Sequence, residues 1–185
     1  MPDSRYTAPA RLLHWIMAAL ILPMIPAGLI MVQPGLDRGL QNALFLYHKN
    51  AGVLLLVLVV ARLVWRQMSP PPAPPAHLAG WQVRIAEATH LGLYVLLIVL
   101  PVAGYVRVRA GGFPIESLDA LGIPALVPRS DTLADVAKTV HYLSGLAIAV
   151  LVAMHVGAAL MHGIVKRDGV FSRMWPPLGG GPAPR

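Results

Sequence analysis

Four stretches of this chain are long and apolar enough to fix its class. Leu12–Val32, Leu44–Val64, Ile85–Val106 and Val140–Val165 each hold about 20 or more largely apolar residues, enough to cross roughly 30 Å of bilayer hydrocarbon as a helix. A backbone in hydrocarbon must satisfy its own hydrogen bonds, and a single segment does that only as an α-helix. Charged residues make up 12% of the chain, against about 25% in soluble domains. The expected fold is therefore all-α, an integral membrane four-helix transmembrane bundle. One domain is expected over residues 1–185, with spans near 9–32, 43–66, 83–108 and 132–165.

Composition removes several function classes. The absence of cysteine excludes disulfides, Cys-ligated iron–sulfur clusters and the covalent attachment of a c-type haem. The net charge of +7 does not point to nucleic acid, because the basic residues flank the spans and form no soluble basic face. Arg5 and Arg11 precede the first span as in a secretory signal. That span is too long, and no small-residue cleavage site follows at Met31–Gln33, so it reads as a retained anchor.

The connections read clearly. Pro9 suits a first helical turn, and Pro23 and Pro26 should kink the first span. Ser69–Pro75 is a stiff proline-rich segment. Ala110–Ser130 is the longest connection, with apolar residues that suggest it lies against the bundle. Thr132 with Asp135 reads as a capping-box start for the last helix, and the tail after Lys166 reads as loose. One side of the bundle carries nine Lys/Arg against three acids, and the other six against five. The positive-inside rule places both termini in the cytoplasm.

Histidines then sort by depth. His141 and His155 are fourteen residues apart, so they share a helix face about 21 Å apart along the axis. His48 begins the second span and matches the outer level of His141. His14 and His90 begin the first and third spans from the cytoplasmic side and match the inner level of His155. His162 lies about 10 Å beyond His155. Spacing thus offers one outer pair and one inner trio. Ionisable residues in spans are rare and usually functional, which weighs against bland packing. A proton relay would have to bridge about 20 Å of aliphatic residues. A metal transporter needs carboxylates along its path, and the span interiors offer almost none. Bis-imidazole haem, held without cysteine between facing helices, fits the pattern.

The motifs also resemble a known family. They are Tyr6 with Arg11-Leu12-Leu13-His14-Trp15, His48-Lys49-Asn50-Ala51-Gly52, Thr89-His90-Leu91-Gly92-Leu93-Tyr94, Leu100-Pro101-Val102-Ala103-Gly104, His141, His155, and the His162–Pro176 stretch. Together they resemble the prokaryotic cytochrome b561 family. That family belongs to the di-haem membrane cytochromes, which include the cytochrome b subunits of hydrogenases and formate dehydrogenases. The resemblance implies two haem b groups, one ligated by His48 and His141 and one by His14 and His155. Two positions depart from the pattern: Gly163, where relatives often carry a second histidine, and Tyr142, where an acidic residue is common.

Other polar residues fall into place around this expectation. Arg62 lies at the inner level and Lys49 at the outer level, both as candidate propionate partners. His90 and His162 are candidates for a quinone headgroup pocket, because imidazole titrates near neutral pH and quinone reduction needs protons. The methionines read as packing residues, and Trp15, Trp65 and Trp175 as an interfacial belt. The chain is similar to free-standing superoxide oxidases of the family. That similarity implies electron transfer from superoxide at the outer, periplasmic face to ubiquinone or another quinone, in a bacterial inner membrane. Arg107, Arg109, Arg129 and Lys138 flank the outer face and can attract a small anion, with Arg129 and Lys138 as the entry candidates. The alternative is an electron-transfer subunit serving a redox partner protein in a hydrogenase or dehydrogenase complex. No dedicated docking segment is apparent, which favours the first reading.

Overall fold

Proline and capping residues set the helix limits. Pro9 sits in the first turn of α1 (Ala8–Ile30), where its missing N–H costs nothing. Asp37 caps α2 (Arg38–Met68) by accepting from the Leu40 amide at 3.0 Å. After α3 (Gly80–Ala110) and the five-residue α4 (Glu116–Ala120), α5 runs from Asp131 to Leu160. Its cap is Ser130, whose hydroxyl accepts from the Leu133 amide at 3.3 Å. The Thr132 capping box is therefore corrected by two residues: Ser130 already offers a hydroxyl and an extended backbone. The computed structural model describes residues 5–178, and among these there is no strand. Asp3 and Arg185, counted above among the flanking charges, lie outside them.

Four helical segments, Ala8–Ile30, Arg38–Met68, Gly80–Ala110 and Asp131–Lys166, are long and apolar enough to cross a membrane. Short connections make neighbours antiparallel. α1 packs on α2, α2 on α3, and α3 most extensively on α5. The start of α1, the Ser69–Ala79 connection and the tail share one end, here the termini side. Met17, Met24, Ala51, Leu55, Val59, Leu97 and Ile148 form the core. In sequence they fall between the histidine levels, so an apolar layer separates the two levels. In lipid, helices associate through close packing more than through the hydrophobic effect. Accordingly Met17, Met24 and Met31 are buried, whereas Met154 and Met161 face outward.

The tail is not loose over its described part. α5 widens into a π-helical turn at Met161–Lys166. Arg167, with φ 51°, and Gly169, with φ 84°, then reverse the chain. Residues that follow are tied at several points. The Trp15 indole donates to the Met174 carbonyl at 2.8 Å, and its ring meets Trp175 edge-on at 5.1 Å. Arg173 donates to the Pro72 and Ala73 carbonyls at 3.1 and 2.7 Å. The Tyr6 amide donates to the Arg173 carbonyl at 3.2 Å. Trp15 therefore anchors the tail, a tertiary role that an interfacial-belt reading does not contain.

Candidate functional site

On the far side, α2 and α5 bring His48 and His141 together. Their ring centroids are 6.0 Å apart with planes at 78°. Metal–imidazole bonds are about 2.0–2.1 Å, so two imidazoles on opposite faces of one iron have centroids about 6 Å apart. The His141 ring is steered: Nδ1 is 2.9 Å from the Leu100 carbonyl. A carbonyl only accepts, so Nδ1 carries the proton and Nε2 keeps its lone pair, the form a metal requires. His48 Nδ1 is buried and has no hydrogen-bond partner among the described residues; the Met24 backbone lies nearby without completing one.

On the termini side, His155 of α5 stands between two imidazoles. His14 lies 5.9 Å from it at 75°, nearly repeating the far-side pair. His90 lies 5.3 Å from it at 68°, closer than the far-side pair's 6.0 Å. All three members of the inner trio are thus in one place, and only one pairing has the far-side spacing. Arg62 lies at this level, donating to the Ala10 carbonyl at 2.6 Å and to the Tyr94 hydroxyl at 3.1 Å. Among the described residues no group of three or more His, Cys, Asp or Glu is arranged to hold a bare metal ion. Opposed imidazole pairs suit haem, whose porphyrin supplies the other four nitrogens.

The flanks differ from simple charge bookkeeping. Lys49 follows His48, yet its ammonium donates to Glu116 at 2.6 Å and to the Pro114 carbonyl at 2.8 Å. Asn50 donates to the other Glu116 oxygen at 3.0 Å and accepts from the Ser117 amide at 2.8 Å. Lys49 and Asn50 therefore clamp α4 onto α2, beside the far-side histidines. Burial alone would raise the Glu116 carboxyl pKa; the hydrogen bonds from Lys49 and Asn50 outweigh it and hold it below the ordinary glutamate range. Arg109 is bound to Asp119 at 2.6 Å. Arg129 and Lys138 are exposed.

A sequence profile of the prokaryotic cytochrome b561 family matches residues 5–177. The chain belongs to that family. Similar proteins are cytochrome b561 homolog 2 of Escherichia coli (strain K12), 32% identical over 170 residues, which are 92% of this chain and 90% of the relative. Cytochrome b561 homolog 1 of the same organism is 30% identical over 182 residues, 94% and 98% of the two chains. A protein of Yersinia pestis named probable superoxide oxidase CybB is 27% identical over 168 residues, 89% and 92% of the two chains. This cytochrome is thus a multi-pass bacterial membrane electron-transfer protein of a family that binds haem b.

The cytochrome holds a second polar cluster that spacing did not reveal. His162 Nδ1 donates to Asp168 Oδ2 at 2.6 Å, and His77 Nε2 lies 3.5 Å from the same oxygen. Asp168 Oδ1 accepts from the Val170 amide at 3.3 Å. Burial pushes the Asp168 carboxyl up, but the hydrogen bonds from His162 and Val170 dominate and hold it below the ordinary aspartate range. The two quinone candidates thus have different neighbours: His90 faces His155, and His162 faces this carboxylate. His77 had no periodic signal, since it stands in the α2–α3 connection.

Proposed function

We propose that this protein is a di-haem cytochrome b that passes electrons from superoxide at one membrane face to a quinone near the other. The carrying observation is the pair of opposed imidazoles at each level, 6.0 Å apart for His48 and His141 and 5.9 Å for His14 and His155. Haem supplies a one-electron redox centre when bound. The four histidines would hold the two haem groups, and Arg62 would place positive charge at the level of the propionates. Lys49 serves mainly to fix α4. The apolar layer between levels keeps water and protons out of the path between the two sites. His162, oriented by Asp168, is the proton-handling group on the termini side; His90 packs on His155.

The reaction balances as two superoxide anions plus quinone plus two protons giving two dioxygen molecules plus quinol. The name of the Yersinia pestis relative supports superoxide as donor. The exposed cations Arg129 and Lys138 support anion attraction. The excess of Lys/Arg on the termini side supports a cytoplasmic location for both termini.

The test is stopped-flow haem reduction by superoxide and reoxidation by a soluble quinone, each added alone to the detergent-solubilised protein. Superoxide should reduce haem at a rate that falls with ionic strength, because exposed charges are screened over about 8–10 Å. Neutralising Arg129 and Lys138 together should slow this step and leave reoxidation unchanged. Absence of haem reduction by superoxide in the wild type would reject this donor and point to a redox partner protein instead.

A further inference from the structure

The two histidine levels are built differently. A Cβ placed on Gly104 of α3 would lie 3.0 Å from both Nδ1 and Cε1 of His141. A Cβ on Gly28 of α1 would lie 3.0 Å from Cε1 of His48. Such contacts force a neighbour to move, and here the neighbour is a buried ring. Among the described residues, no glycine has the rings of His14, His90 or His155 among the nearest atoms its added Cβ would meet. Gly104 also lies one helical turn after Leu100, whose carbonyl accepts from His141 at 2.9 Å. The Leu100–Gly104 turn thus gives His141 an acceptor and the space to reach it.

We propose that the Leu100 carbonyl and Gly104 are positioning groups that set the ring orientation and electron donation of His141, and through it the potential of the far-side haem. Gly28 acts on His48 through space alone. This rests on the reading that His48 and His141 are one axial pair. An imidazole that donates from Nδ1 is a stronger electron donor through Nε2, because partner groups on the outer nitrogen fix the tautomer and strengthen the ligand. The far-side haem would therefore have one ligand strengthened by a complete hydrogen bond and one, His48, helped less, because the Met24 backbone approaches it without completing one. Its potential is held lower than two unassisted imidazoles would set it. The site can be retuned from α3 or α1 without touching a histidine.

The experiment uses the full chain with haem bound, titrated potentiometrically and examined by low-temperature EPR. Gly104→Ala should displace the ring from the Leu100 carbonyl, raise the far-side midpoint potential and change that haem's EPR signature, leaving the other haem as it was. Gly28→Ala should change the EPR signature of the same haem with a smaller shift in potential. Gly92→Ala is the control: its added carbon would meet Leu151 at 2.9 Å and no imidazole. It should leave the far-side signature unchanged. Selective loss of the far-side haem in Gly104→Ala also supports the proposal. Unchanged potential and signature overturn it, as do equal changes at both haems. One measurement needs no variant. Pulsed EPR of the oxidised far-side haem in the wild type should resolve two inequivalent outer nitrogens, and two equivalent ones overturn the proposal. Failure of the underlying pairing is separately visible, because His141→Ala would then keep the far-side haem.

Discussion

Replacing His48 or His141 with alanine is expected to remove one haem and leave the other, halving the haem-to-protein ratio from the proposed two. His14→Ala or His155→Ala should remove the second haem and keep the first. On the proposed reading each pair would hold its haem from two different helices, α2 with α5 and α1 with α5, so alanine would leave the group with one protein ligand. The pairs share their geometry, 6.0 Å at 78° and 5.9 Å at 75°. His90→Ala should keep both haems, since its ring sits 5.3 Å from His155 and does not repeat the 5.9–6.0 Å spacing of the two matched pairs. A pyridine haemochrome assay gives the ratio, and reduced-minus-oxidised spectra tell which haem is missing. A His90→Ala protein lacking the termini-side haem, beside a His14→Ala protein that retains it, would reverse the proposed assignment and give the ligand to α3. One haem per wild-type chain would reject the two-level reading.

Replacing His162 with alanine is expected to slow haem reoxidation by quinone by about 100-fold, the lower range for loss of a positioned general acid–base group. Reduction by superoxide at the other face should not change. Asp168→Asn should give a smaller loss of the same kind, and Asp168→Glu should restore part of it. The reason is local. Asp168 accepts from His162 Nδ1 at 2.6 Å, which leaves Nε2 as the nitrogen free to exchange a proton. The contact also holds the tail, so its pH dependence has a sign. The folded carboxyl lies below its ordinary value of 3.8. The stabilisation is therefore fully present above that value and fades as pH falls through the lowered folded value. A hydrogen bond to a charged group contributes about 1.5–3 kcal/mol, which bounds what Asp168→Asn should cost in thermal unfolding at neutral pH. Equal slowing of both half-reactions by His162→Ala would make the residue structural rather than a proton-handling group.

The far-side cations show why a charge inventory and a structure differ. Arg109 and Lys49 flank the far side in sequence just as Arg129 and Lys138 do. Arg109 is neutralised locally by Asp119, and Lys49 by Glu116. Only residues brought together by the Ala110–Ser130 connection make that distinction. A linear sequence gives neither the path of that connection nor the docking of α4.

What the sequence determined by itself is everything that depends on period and length. Spans follow from apolar runs because hydrocarbon thickness and helix rise are fixed. Histidine levels follow from intervals such as the fourteen residues between His141 and His155, because a helix converts interval into depth and face. The lack of cysteine fixed the manner in which haem can be held. Choices among residues at one depth needed tertiary structure. His14 and His90 enter from the same side at similar depth, and only the rotation of α1 and α3 about their axes gives one of them the spacing of the far-side pair. Thr132 and Ser130 both offer a capping hydroxyl, and the backbone decided for Ser130. The tail's polar and glycine-rich composition resembles a free end. Its attachment through Arg173 and Met174 uses partners about 100 residues or more away at Pro72, Ala73 and Trp15. The Nδ1 proton of His141 was likewise beyond reach of the sequence, because its acceptor is a backbone carbonyl of another helix, and backbone carbonyls carry no sequence signature.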